Sequence, residues 1–173
     1  MLSALLGSCA APIPPPARPA PIKPAPLPPP KPPAVLPPST ADAHDWRDAP
    51  LTLGDWRWSM EGASSVARYG KAPDQQLILT CNRAAATLQL SRKITATATP
   101  AAQITIRTAT QLRNIPAQNN GELNALSISL PANDSIWDAI ALSRGRFAVT
   151  AAGQSPIYAP SWPEVARVIE DCR

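Results

Sequence analysis

Leu77-Ile78-Leu79-Thr80-Cys81-Asn82-Arg83-Ala84-Ala85-Ala86-Thr87-Leu88-Gln89-Leu90-Ser91 is the stretch that decides the fold class. Leu77, Leu79 and Cys81 alternate with Ile78 and Thr80. After a turn signalled by Asn82-Arg83, Leu88 and Leu90 alternate with Thr87, Gln89 and Ser91. An extended chain sends successive side chains to opposite faces, so each run reads as a strand with one apolar face. The same pattern recurs on both sides. Trp56 and Trp58 alternate with Arg57 and Ser59, and Ile104 and Ile106 with Thr105 and Arg107. Leu126, Ile128 and Leu130 alternate with Ser127 and Ser129, and Phe147 and Val149 with Arg146, Ala148 and Thr150. Ala152-Gly153-Gln154 would turn this last run into a final strand near Ile157-Tyr158. Short, one-faced strands separated by turns predict a mainly β domain, an antiparallel sandwich or barrel.

Two segments break the pattern and predict short helices, the second at the C-terminus. The first follows Asn133-Asp134, either of which can cap, and carries Ile136, Trp137, Ile140 and Ala141 up to Gly145. The second starts at Ser161-Trp162-Pro163-Glu164, which has the spacing of a capping box with proline at the first helical position. Val165, Val168, Ile169 and Cys172 then form one apolar stripe. Cys81 lies on the apolar face of its strand and Cys172 on that of the last helix, so both point to the core. In an oxidising compartment such a pair is expected to be bridged.

Composition sets the boundaries. Fifteen of the 23 prolines lie between Pro12 and Pro38. Each proline fixes φ and removes a donor, so residues 10–40 read as a disordered polyproline II spacer, and residues 41–173 as one domain. PxxP matches occur in any such tract and carry little information. The net charge of +4 also owes much to the tail, which holds Arg18, Lys23 and Lys31 and no acid. From Ala41 onward thirteen basic residues face twelve acidic ones, scattered without a stripe, so no nucleic-acid partner is expected.

Residues 1–9 are the segment before the spacer. Leu6-Gly7-Ser8-Cys9 resembles a bacterial lipobox, which implies cleavage before Cys9 and its acylation. The apolar run Leu2 to Leu6 would be the remnant of a signal peptide. It is shorter than an ordinary signal and no Lys or Arg precedes it, so a start codon further upstream or a clipped N-terminus is expected. Several acyl chains on one cysteine anchor stably where one is marginal. Ala10, rather than Asp, follows the cysteine, which in lipoproteins of this kind implies the outer membrane.

Catalytic patterns are missing from the sequence. GxSxG, SxxK and HExxH do not occur, and there is no CxxC. The single histidine, His44, sits beside the tail, where rigid placement is hard to achieve. Asp134 and Asp138 are one helical turn apart and suit the positive end of a helix dipole. Glu170-Asp171 fall off the apolar stripe and read as solvated. No catalytic residue, metal ligand or cofactor is therefore expected. Two features form a candidate binding surface: Asp45-Trp46-Arg47, echoed by Asp55-Trp56-Arg57-Trp58, and the basic turn Arg144-Gly145-Arg146. Tryptophan rings can stack on sugars and arginine can bind anions. Packing of the tryptophans over the end of the sheet, and a solvated basic turn, are the structural readings that compete.

The runs Leu142-Ser143-Arg144-Gly145-Arg146-Phe147-Ala148-Val149 and Ala159 to Cys172, with Asp45-Trp46-Arg47 and Leu79-Thr80-Cys81, are similar to a family of sphingomonad-type alphaproteobacterial lipoproteins without an assigned activity. A more distant likeness links the chain to small disulfide-closed envelope β-domains of the invasion-associated locus B and type VI secretion accessory kinds. With the lipobox and the missing catalytic patterns, the leading reading is a non-enzymatic, lipid-anchored cell-envelope protein that faces the periplasm, in a structural or binding role. Its partners would be the membrane, through the anchor, and peptidoglycan or an envelope protein. The alternative is a periplasmic inhibitor of a hydrolase such as lysozyme, although the SGxxY signature of such inhibitors is absent.

Overall fold

Why the alternating runs become two sheets rather than one is visible in their pairing. The computed structural model describes residues 45–95, 102–120 and 124–173. Cys9, the proline-rich spacer and His44 lie outside the described residues. The first sheet contains β1 (Asp55–Glu61), β2 (Ser64–Lys71), β3 (Asp74–Asn82), β4 (Thr87–Lys93), β7 (Gln118–Asn120) and β8 (Ala125–Pro131), in the order β1-β2-β3-β4-β8-β7. The second contains β5 (Gln103–Arg107), β6 (Leu112–Pro116), β9 (Arg146–Ala151) and β10 (Ile157–Pro160), in the order β10-β9-β5-β6. Every pairing is antiparallel. Of the two architectures expected, the hydrogen bonding fits the sandwich, since the two sheets do not join into a closed barrel among the described residues.

Register lines up the apolar faces. In the first sheet Ala67, Leu79, Leu90 and Ile128 stand side by side across four strands. In the second, Ile106, Val149 and Ile157 do the same. Both rows belong to one buried cluster, so the sheets share a core.

Strands β2, β6 and β7 escape the sequence reading. In β2, Ser65, Val66, Ala67, Tyr69 and Gly70 are all buried, so burial on both faces erases the alternation. Strand β7 has three exposed polar residues and no apolar face at all. Gly54 and Gly70 meet where the chain enters β1. Both have positive φ, and a Cβ on Gly54 would lie 2.5 Å from the Gly70 Cα, so neither position tolerates a side chain.

Helix α1 (Ser135–Ala141) begins as expected, with the Asp134 carboxylate accepting from the Ile136 amide at 2.9 Å. It ends before Gly145, at Leu142, because the buried Ser143 next takes the chain elsewhere. Its hydroxyl donates to the Arg146 carbonyl and accepts from the Ala109 amide. Partial burial pushes the Asp134 carboxyl up. The hydrogen bond and charge of Arg113, together with the Ile136 amide, outweigh this and hold it below the usual carboxylate range. A depressed folded-state pKa gives stability that is present above the unfolded value and lost as pH falls through the folded one. Asp134→Ala is therefore expected to cost about 1 kcal/mol at neutral pH. The gap to the wild type should narrow below about pH 4 in acid unfolding curves.

Helix α2 (Pro163–Glu170) corrects the capping-box expectation. Pro163 does take the first helical position, which makes Trp162 the cap and moves Ser161 one residue out of reach. Trp162 makes no side-chain capping bond, and both Ser161 Oγ and Glu164 Oε2 are buried without partners among the described residues. The stripe Val165, Val168, Ile169 and Cys172 is buried as expected, and α2 packs on β1, β2, β3 and α1. Cys81 and Cys172 are joined in a disulfide with their Cα atoms 5.4 Å apart. Asp171, expected to be solvated, instead accepts from Ser65 Oγ at 2.6 Å and pairs with Arg83 at 3.8 Å.

Candidate functional site: the open face of the six-stranded sheet

The tryptophans and arginines singled out in the sequence do not form one surface. Trp56 is buried, with its Nε1 donating to the Pro160 carbonyl at 2.8 Å and its ring against Tyr69 and Phe147. It is a core residue, because the inner face of β1 points between the sheets. Trp58 lies on the same inner face, half-buried. Its Nε1 donates to Ser65 Oγ at 2.7 Å, and the Arg167 guanidinium covers its ring at 3.8 Å. Trp46 and Arg47 sit in a turn before β1, where Arg47 stacks on Trp46 at 5.0 Å and pairs with Asp45 at 3.4 Å. Arg146 is committed to the Ala49 carbonyl, whereas Arg144 is exposed in the turn before β9. Arg146 thus corrects the reading of a wholly solvated basic turn.

The segment held by Arg146 runs on to a second attachment. The Thr52 amide donates to the Tyr158 carbonyl at 2.9 Å, and the Tyr158 amide donates back to Thr52 Oγ1 at 3.0 Å. The Tyr69 hydroxyl bonds the Thr52 carbonyl. These bonds cover the β10 edge, which would otherwise present unpaired backbone groups.

Arg57 belongs to a different surface. It stands in register with Arg68, Ile78, Ser91 and Ser127 across the outer face of the first sheet. The parallel row is Ser59, Val66, Thr80, Gln89 and Ser129. This face is concave over its middle strands, enclosing about 410 Å³ between Arg68, Ile78, Thr80, Gln89, Ser91 and Ser127. The polar half of the alternation builds it. Every inward Leu or Cys of β3 and β4 has an outward neighbour that is Thr, Gln, Ser or the half-buried Ile78. That signal was present in the sequence but is shared by any solvated sheet, and only the curvature distinguishes it.

The electrostatics of the face are mild. Arg68 Nη2 donates to Glu61 Oε2 at 2.6 Å, and this hydrogen bond holds the Glu61 carboxyl below its ordinary range. Lys93 pairs with Asp74 at the far end. Between the two ion pairs lie hydroxyl and amide groups, with Ser91 and Ser127 sharing a hydrogen bond at 2.8 Å. Such a surface offers both donors and acceptors to a neutral polar ligand, and Ile78 offers an apolar contact.

Among the described residues no three His, Cys, Asp or Glu side chains are grouped to hold a metal, and no helix is long and apolar enough to cross a membrane. No family model, curated protein or solved structure matches this chain.

Proposed function

We propose that this chain is a lipid-anchored cell-envelope protein, attached through Cys9 and carrying a non-enzymatic binding domain on a proline spacer. The observation that carries the reading is the Cys81–Cys172 bridge. Structural disulfides persist in oxidising compartments and are rare where thiols are kept reduced. With Leu6-Gly7-Ser8-Cys9 and the proline tract behind it, the bridge favours export to the outer membrane, facing the periplasm. The spacer would hold the domain off the membrane, by up to about 3.1 Å per residue. The concave polar sheet face would be the contact surface, and its hydroxyls and amides suit peptidoglycan or the polar surface of an envelope protein.

Expressed behind a functional lipoprotein signal peptide, the protein should be labelled by radioactive palmitate and recovered with outer membranes. Cys9→Ser should abolish labelling and release the protein to the soluble fraction. Equal labelling of both proteins, or a soluble wild type, would overturn the anchor. Retention on purified sacculi tests the surface. Thr80→Arg, in the middle of the concave face, should weaken it, whereas Arg144→Ala, in the turn before β9, should not.

A further inference from the structure

Arg92 is the one inward-pointing charge in a row of apolar side chains, standing between Leu77 and Leu126. It is 2 % exposed. A guanidinium has five N–H donors and no acceptor. Here Nη1 donates to the Val149 carbonyl at 2.8 Å and Nη2 to the Ser155 carbonyl, which ties the first sheet to β9 and to the β9–β10 turn. Nε is buried with no partner among the described residues. Among the described residues no carboxylate pairs with Arg92. Burial pulls its pKa down to about 10, which still leaves it charged at neutral pH. A buried cation without a counter-ion is costly, and a fold that needed only the two carbonyl bonds had cheaper ways to make them.

Arg92 also lines a pocket of about 370 Å³ at the end of the sandwich, a volume within the usual range for small-ligand sites. Thr52, Gln76 and Gln154 contribute its polar walls. Gln154 is oriented by the Thr95 amide, which donates to its Oε1 at 2.9 Å and leaves the amide NH2 as donor. The rim carries Lys93 and Asp74, which neutralise each other in an ion pair. The uncompensated charge of the pocket is thus the single charge of Arg92.

From this geometry we infer that the Arg92 pocket binds the carboxylate of a small polar ligand, with the guanidinium as its counter-charge and the Gln76, Gln154 and Thr52 side chains bonding the neighbouring polar groups. Two of the five N–H donors are committed to the Val149 and Ser155 carbonyls, so a carboxylate would meet the charge through the remaining N–H groups. One buried positive charge suits a monoanion better than a dianionic phosphate, which would leave a charge unpaired. The inference is independent of membrane attachment; the pocket shares Gln76 and Lys93 with the open sheet face, and Arg92, Thr52 and Gln154 belong to the pocket alone.

The test is titration of the full chain with acetylated diglycine, its C-terminal amide, acetate and inorganic phosphate, followed by thermal shift and by NMR of the side-chain amides. Acetylated diglycine should raise the melting temperature and move the Gln76 and Gln154 resonances, and its amide should do neither. Acetate binding as tightly as the peptide would assign the site to free small acids; weaker acetate binding would assign it to peptide termini. Arg92→Met should weaken binding by about tenfold or more, as expected for loss of a charged hydrogen-bonding partner. Because Arg92 also joins the two sheets, Gln76→Leu supplies a second readout. It keeps both carbonyl bonds and should weaken the peptide several-fold at unchanged stability. No response to any carboxylate, an equal response to the amide, tighter binding of phosphate, or unaltered affinity in both variants would overturn the inference.

Discussion

Reduction of the Cys81–Cys172 bridge should lower the stability of the domain by about 4–5 kcal/mol, the value the chain-entropy model gives for a loop of this length. The bridge joins residues 91 apart, so it closes a loop over the larger part of the unfolded domain, from the end of β3 to the C-terminus. It also fastens α2, whose eight residues are too few to hold a helix alone. The packing of Val165, Val168 and Ile169 remains after reduction, so the domain should keep its far-ultraviolet dichroism while its denaturant midpoint falls. The paired Cys81→Ala and Cys172→Ala variant should reproduce the reduced protein. A midpoint unchanged by reductant, with thiols shown to be free, would mean that α2 is held by apolar contact alone.

Trp56→Ala should be nearly as damaging, at about 3–5 kcal/mol. The ring is 4 % exposed and packs 5.1 Å from Tyr69 and 6.4 Å from Phe147, linking the two sheets. Its removal opens a cavity and leaves the Pro160 carbonyl without the indole donor. Trp46→Ala is the contrast, because that ring is half-buried in a turn, with Arg47 stacked on it. It should cost about 1 kcal/mol or less. Urea unfolding of the two variants separates them. Similar losses in both would show that the turn before β1 is part of the core, and a small loss in Trp56→Ala would return that residue to the binding surface.

The two tryptophans illustrate the limit of the sequence reading. Asp45-Trp46-Arg47 and Asp55-Trp56-Arg57 are the same tripeptide, yet one ring is stacked in a turn and the other is core. Local chemistry cannot separate them, because burial depends on which strand the ring faces across the sandwich. Similarly, Ser161 and Glu164 have the spacing of a capping box, but the proline between them sets the helix start by its own fixed φ. Strand β2 was hidden because its small residues are buried on both faces, which removes the periodicity that identifies a strand.

What the sequence determined by itself is the set of one-faced strands, the two helices, and the two cysteines aimed at the core. These follow from period and position within single elements, where the side-chain direction is dictated by backbone geometry. Only the tertiary structure decided how the chain's polar residues are used. Arg92 lies in an alternating strand at a position that local pattern assigns to the core, and nothing near it in sequence is a counter-charge. Its partners, the carbonyls of Val149 and Ser155, come from another sheet and a distant turn. The concave face is likewise a product of register across four strands, and the pocket of the way two sheets end against each other. Long-range pairing creates both, and no short stretch of sequence contains it.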